Sequence, residues 1–179
     1  FLEVGAYCGY SALRLSMARP GARVLSLEAD PCVAVLARVV VAHAGLAHLV
    51  AVQIGHSEDA LPALGGGAGS DGRARAFDLV FFDQRGSRYA ADLAALEGAG
   101  ALREGAVVVA DNVLKPGAPA FLWQVIHGSR YRTRVVSVEE HAMPGVEDWM
   151  SVSVAAAPAP SAPEAPAPPP EVWRLEWEA

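Results

Sequence analysis

Two aspartates and an asparagine, each standing where an apolar run ends, carry the strongest chemical suggestion in this chain. Phe77 to Phe82 runs into Asp83, and Ala106 to Ala110 runs into Asp111-Asn112. Two carboxylates and an amide oxygen are hard donors suited to Mg²⁺, with other positions left to water or substrate. Asp and Asn are also common turn formers at strand ends, so spacing alone leaves both readings open. A second group lies at the front, in Glu3-Val4-Gly5-Ala6-Tyr7-Cys8-Gly9-Tyr10-Ser11. A glycine turn of this kind either brings backbone close to a ligand at a helix N-terminus or simply joins strand to helix. Glu28 follows about 20 residues later, the offset at which a carboxylate accepts hydrogen bonds from both hydroxyls of a ribose. Tyr7 and Cys8 fill positions where a pyrophosphate needs small residues, so a nucleoside without a diphosphate fits better than a dinucleotide. Further on, Gly55-His56-Ser57-Glu58-Asp59 either meets an adenine through a backbone N–H and Ser57 or forms a helix cap with solvated acids.

Such residues work together only if the chain delivers its strand ends to one edge. Strand-length apolar runs alternate with helix-period segments to about residue 155, which predicts an α/β, doubly wound, mostly parallel sheet of six or seven strands. Strands are expected at Leu2 to Val4, Arg23 to Glu28, Leu49 to Ile54, Phe77 to Asp83 and Ala106 to Ala110. Tyr131 to Val138 and Trp149 to Val154 read as an antiparallel closing pair. Helices are expected from Ser11 to Arg19 with Ser11 as N-cap, from Asp30-Pro31 to Gly45, and over Ser57 to Leu64, Tyr89 to Leu102 and Ala118 to Gly128. Gly65 to Ala76 reads as a Gly-rich surface connection.

The 179 residues, 53% apolar, suit one compact domain over 1–154, acting as a monomer. Residues 155–170 hold seven of the 13 prolines and read as an extended linker. Residues 171–179, with Trp173 and Trp177, are a docking element or a loose end. A formal charge of −6 argues against nucleic acid and anionic membrane surfaces as partners. No apolar run reaches the ~20 residues of a membrane span. Two cysteines, Cys8 and Cys32, are too few for a disulfide framework, which suits a reducing, cytoplasmic setting. The chain opens on a strand with no initiator Met, so part of a longer protein is expected.

Taken in order, Leu2-Glu3-Val4-Gly5-Ala6-Tyr7-Cys8-Gly9-Tyr10-Ser11, Leu27-Glu28-Ala29-Asp30-Pro31, Phe82-Asp83, Ala110-Asp111-Asn112-Val113 and Pro116-Gly117-Ala118-Pro119 closely resemble the catechol O-methyltransferase family, from residue 1 to about 154. The resemblance implies a Rossmann-like class I fold with a seven-stranded sheet and an antiparallel last strand. It implies Mg²⁺-dependent transfer of a methyl group from S-adenosylmethionine to a hydroxyl of a catechol or related phenol. It would place Glu3, Gly5, Ala6, Tyr7, Gly9, Tyr10 and Ser11 around the methionine moiety, Glu28 and Ala29 at the ribose, and Ser57 and Glu58 at the adenine. Asp83, Asp111 and Asn112 would bind the metal, with Asp83 also facing the cofactor's amino group.

The departures are chemical. The family's general-base lysine falls three residues after the first metal aspartate, where this chain has Gly86; Arg85 is a poor substitute because a guanidinium seldom gives up its proton. Lys115, the only lysine, is the candidate replacement. Gln84 and Arg85 stand where the family has His-Trp beside the adenine, and the acid that grips the second catechol hydroxyl is assigned to Glu139 over Glu140. The family's N-terminal helices are missing, so this is expected to be a truncated member. Two alternatives stay open: a caffeoyl-coenzyme-A-type methyltransferase, and a catalytically weak or silent relative that binds rather than turns over. A nicotinamide-dependent oxidoreductase is disfavoured by the absent diphosphate glycines.

Overall fold

A computed structural model describes residues 1–64, 76–140, 143–156 and 166–178. The elements in chain order are β1 (Leu2–Val4), α1 (Tyr10–Ala18), β2 (Val24–Glu28), α2 (Pro31–His43), β3 (Val50–Ile54), α3 (Ser57–Leu64), β4 (Phe77–Phe82), α4 (Tyr89–Gly98), β5 (Leu102–Ala110), α5 (Pro119–His127), β6 (Tyr131–Glu139), β7 (Glu147–Ala155) and α6 (Pro170–Glu178). The strands form one seven-stranded sheet in the order β3-β2-β1-β4-β5-β7-β6. β7 lies between β5 and β6 and is antiparallel to both, while the β1, β2, β3, β4 and β5 pairings are parallel. The expected mixed, doubly wound sheet is therefore the one observed. Every residue of β1 is buried, as a central strand covered on both faces requires. The chain runs outward from β1 to β2 and β3, then returns to β4 on the other side, and this reversal opens a crevice beyond the carboxyl ends of β1 and β4.

Apolar side chains fill both faces. One cluster holds Leu2, Phe82, Tyr89, Leu93 and Phe121; the other holds Ala12, Val24, Ala37 and Val41 beneath α1 and α2. Phe82 stacks on Tyr89 with ring centroids 5.3 Å apart, and Phe121 meets both rings edge-on at 6.1 and 5.7 Å. The Tyr89 hydroxyl lies 2.9 Å from the carbonyl of Gln84 and 3.2 Å from that of Asp111, so this buried ring joins the loops that follow β4 and β5.

Several boundaries differ from expectation, each for a local reason. Asp30 caps α2 as expected, accepting from Cys32 N at 2.7 Å and Val33 N at 3.2 Å. Ser11 does not cap α1: the helix starts at Tyr10, and Gly9 precedes it in the left-handed region at φ 84° with no side-chain cap. α4 stops at Gly98 rather than Leu102, because Gly100 turns left-handed at φ 63° and Ala101 N closes back on Leu96 O. β5 then starts at Leu102, four residues early, carrying Gly105 at φ 76° and a register shift against Phe77–Leu79.

The Gly-rich connection of residues 65–75 and most of the Ala/Pro-rich segment lie outside the described residues. Beyond that segment α6 packs on α5: Glu176 Oε2 accepts from Ala120 N at 3.0 Å, and Trp123 Nε1 donates to Pro166 O at 2.8 Å. Among the described residues no helix is long and apolar enough to cross a membrane.

Candidate functional site

A cleft of about 290 Å³ occupies the crevice at the strand reversal. Gly5 follows β1 at φ 106°, and a Cβ there would sit 1.9 Å from Asp83 O, so only glycine lets this turn cross the end of β4. Gly5 N and Ala6 N both donate to Leu27 O at 3.0 Å, which ties the turn to the end of β2. Glu28 then holds it from the side. Its Oε2 accepts from Tyr7 N at 2.8 Å and its Oε1 from Asp30 N at 3.0 Å, leaving a lone pair on each oxygen for a diol. On the opposite wall the Ser57 hydroxyl accepts from Gln84 Nε2 at 3.2 Å, and Gln84 also donates to Asp92. Arg88 completes the network at 3.4 Å from Asp92 and 3.1 Å from Glu58.

Gly5, Tyr7, Glu28, Ala29, Ser57, Asp83 and Arg85 thus line one cleft, as the sequence places them. Other expected contacts lie elsewhere. Ala6 is buried in the core, Gly9 packs on Ala37, and Tyr10 is 68% exposed. Glu58 pairs with Arg88, and the Ser11 side chain hydrogen-bonds Glu3. His56 and Gln84 line the cleft too; the sequence names them only as neighbours of Ser57 and Arg85, because their places come from loops.

Glu3 is fully buried on β1, with Ser26 Oγ donating to its Oε2 and no partner for Oε1 among the described residues. Burial pushes its carboxyl up to about 7 against the hydrogen bonds from Ser11 and Ser26. A carboxyl raised on folding supports the fold fully below the unfolded value near 4.5 and loses that support as pH rises through about 7. Glu3→Gln should therefore be more stable than the wild type at pH 8 by about 3 kcal/mol, with the gain vanishing near pH 4.5. Urea unfolding at the two pH values checks this; equal curves at pH 8 would contradict it.

Next to the cleft lies a cluster of acids. Asp111 N donates to Phe82 O at 2.9 Å, extending the β4–β5 ladder so that Asp83 and Asp111 leave adjacent strand ends. Burial pushes Asp83 up to about 6, with Asp111 and Glu140 adding to it. Burial also raises Asp111, opposed by the hydrogen bond from Asn112 N and reinforced by Asp148 and Glu140. Among the described residues, the charges acting on this pair are carboxylates. Asn112 adopts φ 53°, and its Nδ2 donates to Glu140 Oε2 at 3.1 Å and Asp148 Oδ2 at 2.7 Å. Among the described residues no three His, Cys, Asp or Glu side chains form a metal-binding group; the expected set has two carboxylates and one amide.

Two assignments change on this geometry. Glu139 is exposed and its Oε1 accepts from Gly145 N at 2.7 Å across the β6–β7 turn, so Glu140 is the acid that faces the cluster. Lys115 is exposed and its charge acts on Glu147, not on Asp83 or Asp111. At Gly86 a Cβ would lie 2.0 Å from Gly117 O, so the turn Val113–Gly117 covers the place from which the family's lysine would extend.

Residues 1–124 match the family model described as O-methyltransferase. The chain belongs to the O-methyltransferase family. The resemblance to catechol O-methyltransferase holds as well: the chain is 45% identical to that protein of Bos taurus over 131 residues, 73% of this chain and 47% of the relative. It is 38% identical to the Transmembrane O-methyltransferase of Homo sapiens over 159 residues, 88% of this chain and 53% of that one. The chain spans about half the length of these two relatives. Among solved structures, the family member TomG from Streptomyces achromogenes, in complex with SAM, matches with a TM-score of 0.74 at 26% identity, covering 87% of this chain and 72% of that one. The O-methyltransferase from Bacillus cereus, in complex with SAH, shares the fold at a TM-score of 0.74 and 23% identity, over 86% and 72% of the two chains.

Proposed function

We propose that this domain transfers the methyl group of S-adenosylmethionine to a hydroxyl of a catechol-type small molecule, in a reaction that depends on Mg²⁺. The supporting observation is the double role of Asp83. Its carbonyl backs the Gly5 turn of the cleft while its carboxylate faces Asp111 and Glu140. A donor site and an acid cluster thereby share one residue, as a transfer between two bound partners requires.

The donor set fits a divalent cation: among the described residues the charges that act on Asp83 and Asp111 are those of other carboxylates, and a cation would offset them. Asp83, Asp111 and the Asn112 side-chain oxygen would hold it. Such an ion supplies charge that lowers the pKa of a coordinated hydroxyl and fixes its position. The chain's own groups do the remaining work. Glu28 orients the nucleoside through its diol, and the Gly5 turn brings backbone against the methionine moiety. Glu140 stands where a second substrate hydroxyl can donate to it. The two free thiols, Cys8 and Cys32, suit a cytoplasmic setting.

Gly86 favours a second reading, in which the domain binds donor and phenol but turns over weakly. One assay separates the two. With S-adenosylmethionine, a catechol and Mg²⁺, a monomethylated product is expected, and a chelator should abolish it. Donor binding by calorimetry without product would favour the binding role, and turnover unaffected by chelator would remove the metal.

A further inference from the structure

We propose that Asp148 is a positioning residue that decides which atom of Asn112 faces the Asp83–Asp111 pair. The inference rests on the Mg²⁺ reading above, and it assigns a task to a side chain that neither the motifs nor the cleft includes. Asp148 lies on β7, is 1% exposed, and carries four hydrogen bonds divided between its two oxygens. Oδ1 accepts from the backbone N–H groups of Leu114 at 3.2 Å, Lys115 at 3.0 Å and its neighbour Trp149 at 2.6 Å. Oδ2 accepts from Asn112 Nδ2 at 2.7 Å. One oxygen fastens the turn after β5; the other addresses the side chain at its head.

That division has a chemical consequence. An amide nitrogen has two hydrogens, and those of Asn112 go to Asp148 and Glu140. A flipped amide would set its oxygen against two carboxylates, so the nitrogen is bound to this side and Oδ1 is left as the acceptor for a cation. Glu140 sits at the end of β6 beside the turn, whereas Asp148 is fixed within the sheet, paired opposite Val138. Asp148 is therefore the firmer of the two anchors. It also steadies Asn112 at φ 53°, a conformation that Asn tolerates but an unrestrained chain leaves readily.

Asp148→Asn separates the two roles. The substituted amide keeps one oxygen for the N–H groups of Leu114 and Lys115 but turns an NH₂ toward Asn112, donor against donor. Asn112 is then expected to rotate and present its own NH₂ to the metal site. Direct Mn²⁺ binding, followed by electron paramagnetic resonance on the purified protein, should weaken by ~10- to 100-fold. The melting temperature should fall only by the few degrees that one lost hydrogen bond costs, and the calorimetric affinity for S-adenosylmethionine should stay at the wild-type value. The swap Asp148→Asn with Asn112→Asp rebuilds one donor–acceptor pair in reverse and restores an oxygen to the site. Its Mn²⁺ affinity should return to within about tenfold of the wild type. Unchanged Mn²⁺ binding in Asp148→Asn overturns the proposal, as does a parallel fall in melting temperature, donor affinity and metal affinity, which marks a merely structural residue. Should Asp148→Asn fail to fold, the swap decides alone: recovered Mn²⁺ binding supports the proposal and its loss overturns it. A wild-type protein that binds no Mn²⁺ sinks the metal reading and this inference together, an outcome distinct from all the others.

Discussion

Gly86→Lys is expected to unfold the site rather than give it a base. The first atom of any side chain at position 86 would lie 2.0 Å from Gly117 O and 2.8 Å from Gly117 C, and both are backbone atoms. Gly86 is buried in the 3₁₀ turn Gly86–Arg88, directly after the cleft wall, and Gly117 closes the turn that carries Asn112 at its head. Relief requires the two loops to part. Overpacking of this kind costs about 3 kcal/mol even for alanine. Gly86→Ala should therefore lower the melting temperature by roughly 6 to 12 °C for a chain of this size. Differential scanning calorimetry of the alanine and lysine variants, with methyl transfer assayed alongside, tests both halves. A lysine variant that melts like the wild type and turns over faster would show that the loops yield, and that the family's base can be restored by one substitution.

The second large effect is on turnover. Asp83→Asn keeps the shape of the side chain and removes one of the two carboxylates that would hold the cation. Loss of that charge stabilisation should lower the rate of methyl transfer by about 10³-fold, several kcal/mol of barrier. The same change should stabilise the metal-free fold. Burial, Asp111 and Glu140 together raise Asp83 to about 6, so ionising it costs stability as pH climbs through that value. At pH 8 the variant should gain roughly 2 to 3 kcal/mol in urea unfolding. Lost activity joined to gained stability is the signature of a residue kept for chemistry. Retained turnover, or a destabilised variant, would place Asp83 among ordinary structural acids instead.

The parts of the site that could be read from the sequence are those that follow buried strands. β4 and β5 are apolar runs because parallel strands in the middle of a sheet are covered on both faces, so their ends, and with them Asp83, Asp111 and Asn112, stand out. Gly5 and Glu28 announce themselves through a turn and an offset. The edge of the sheet is harder to read. Glu139 and Glu140 are neighbours, and a one-residue difference moves a side chain to the opposite face of a strand or out of it altogether. The outcome was decided by the Gly145 turn, which takes Glu139, and by Asn112, which takes Glu140. Asp148 stands one residue before the expected strand Trp149 to Val154, because an acid beginning a strand breaks the apolar alternation, whereas β7 runs over Glu147–Ala155. Its burial is explained only by the N–H groups of a turn more than 30 residues earlier in the chain. The early start of β5 was hidden for a similar reason: Arg103 and Glu104 are solvent-facing, and Arg103 pairs with Asp78 at 3.0 Å on the neighbouring strand.

The Tyr89 hydroxyl gives the molecule a mechanical character. It reaches the carbonyls of both Gln84 and Asp111 from inside an aromatic cluster, so the wall of the cleft and the wall that carries the acids are bolted to one post. They cannot swing apart like jaws without breaking that link in the dry interior, where an unmade hydrogen bond is expensive. Breathing of the cleft must therefore come from its outer rim, where exposed Tyr7 and Tyr10 follow the glycine turn.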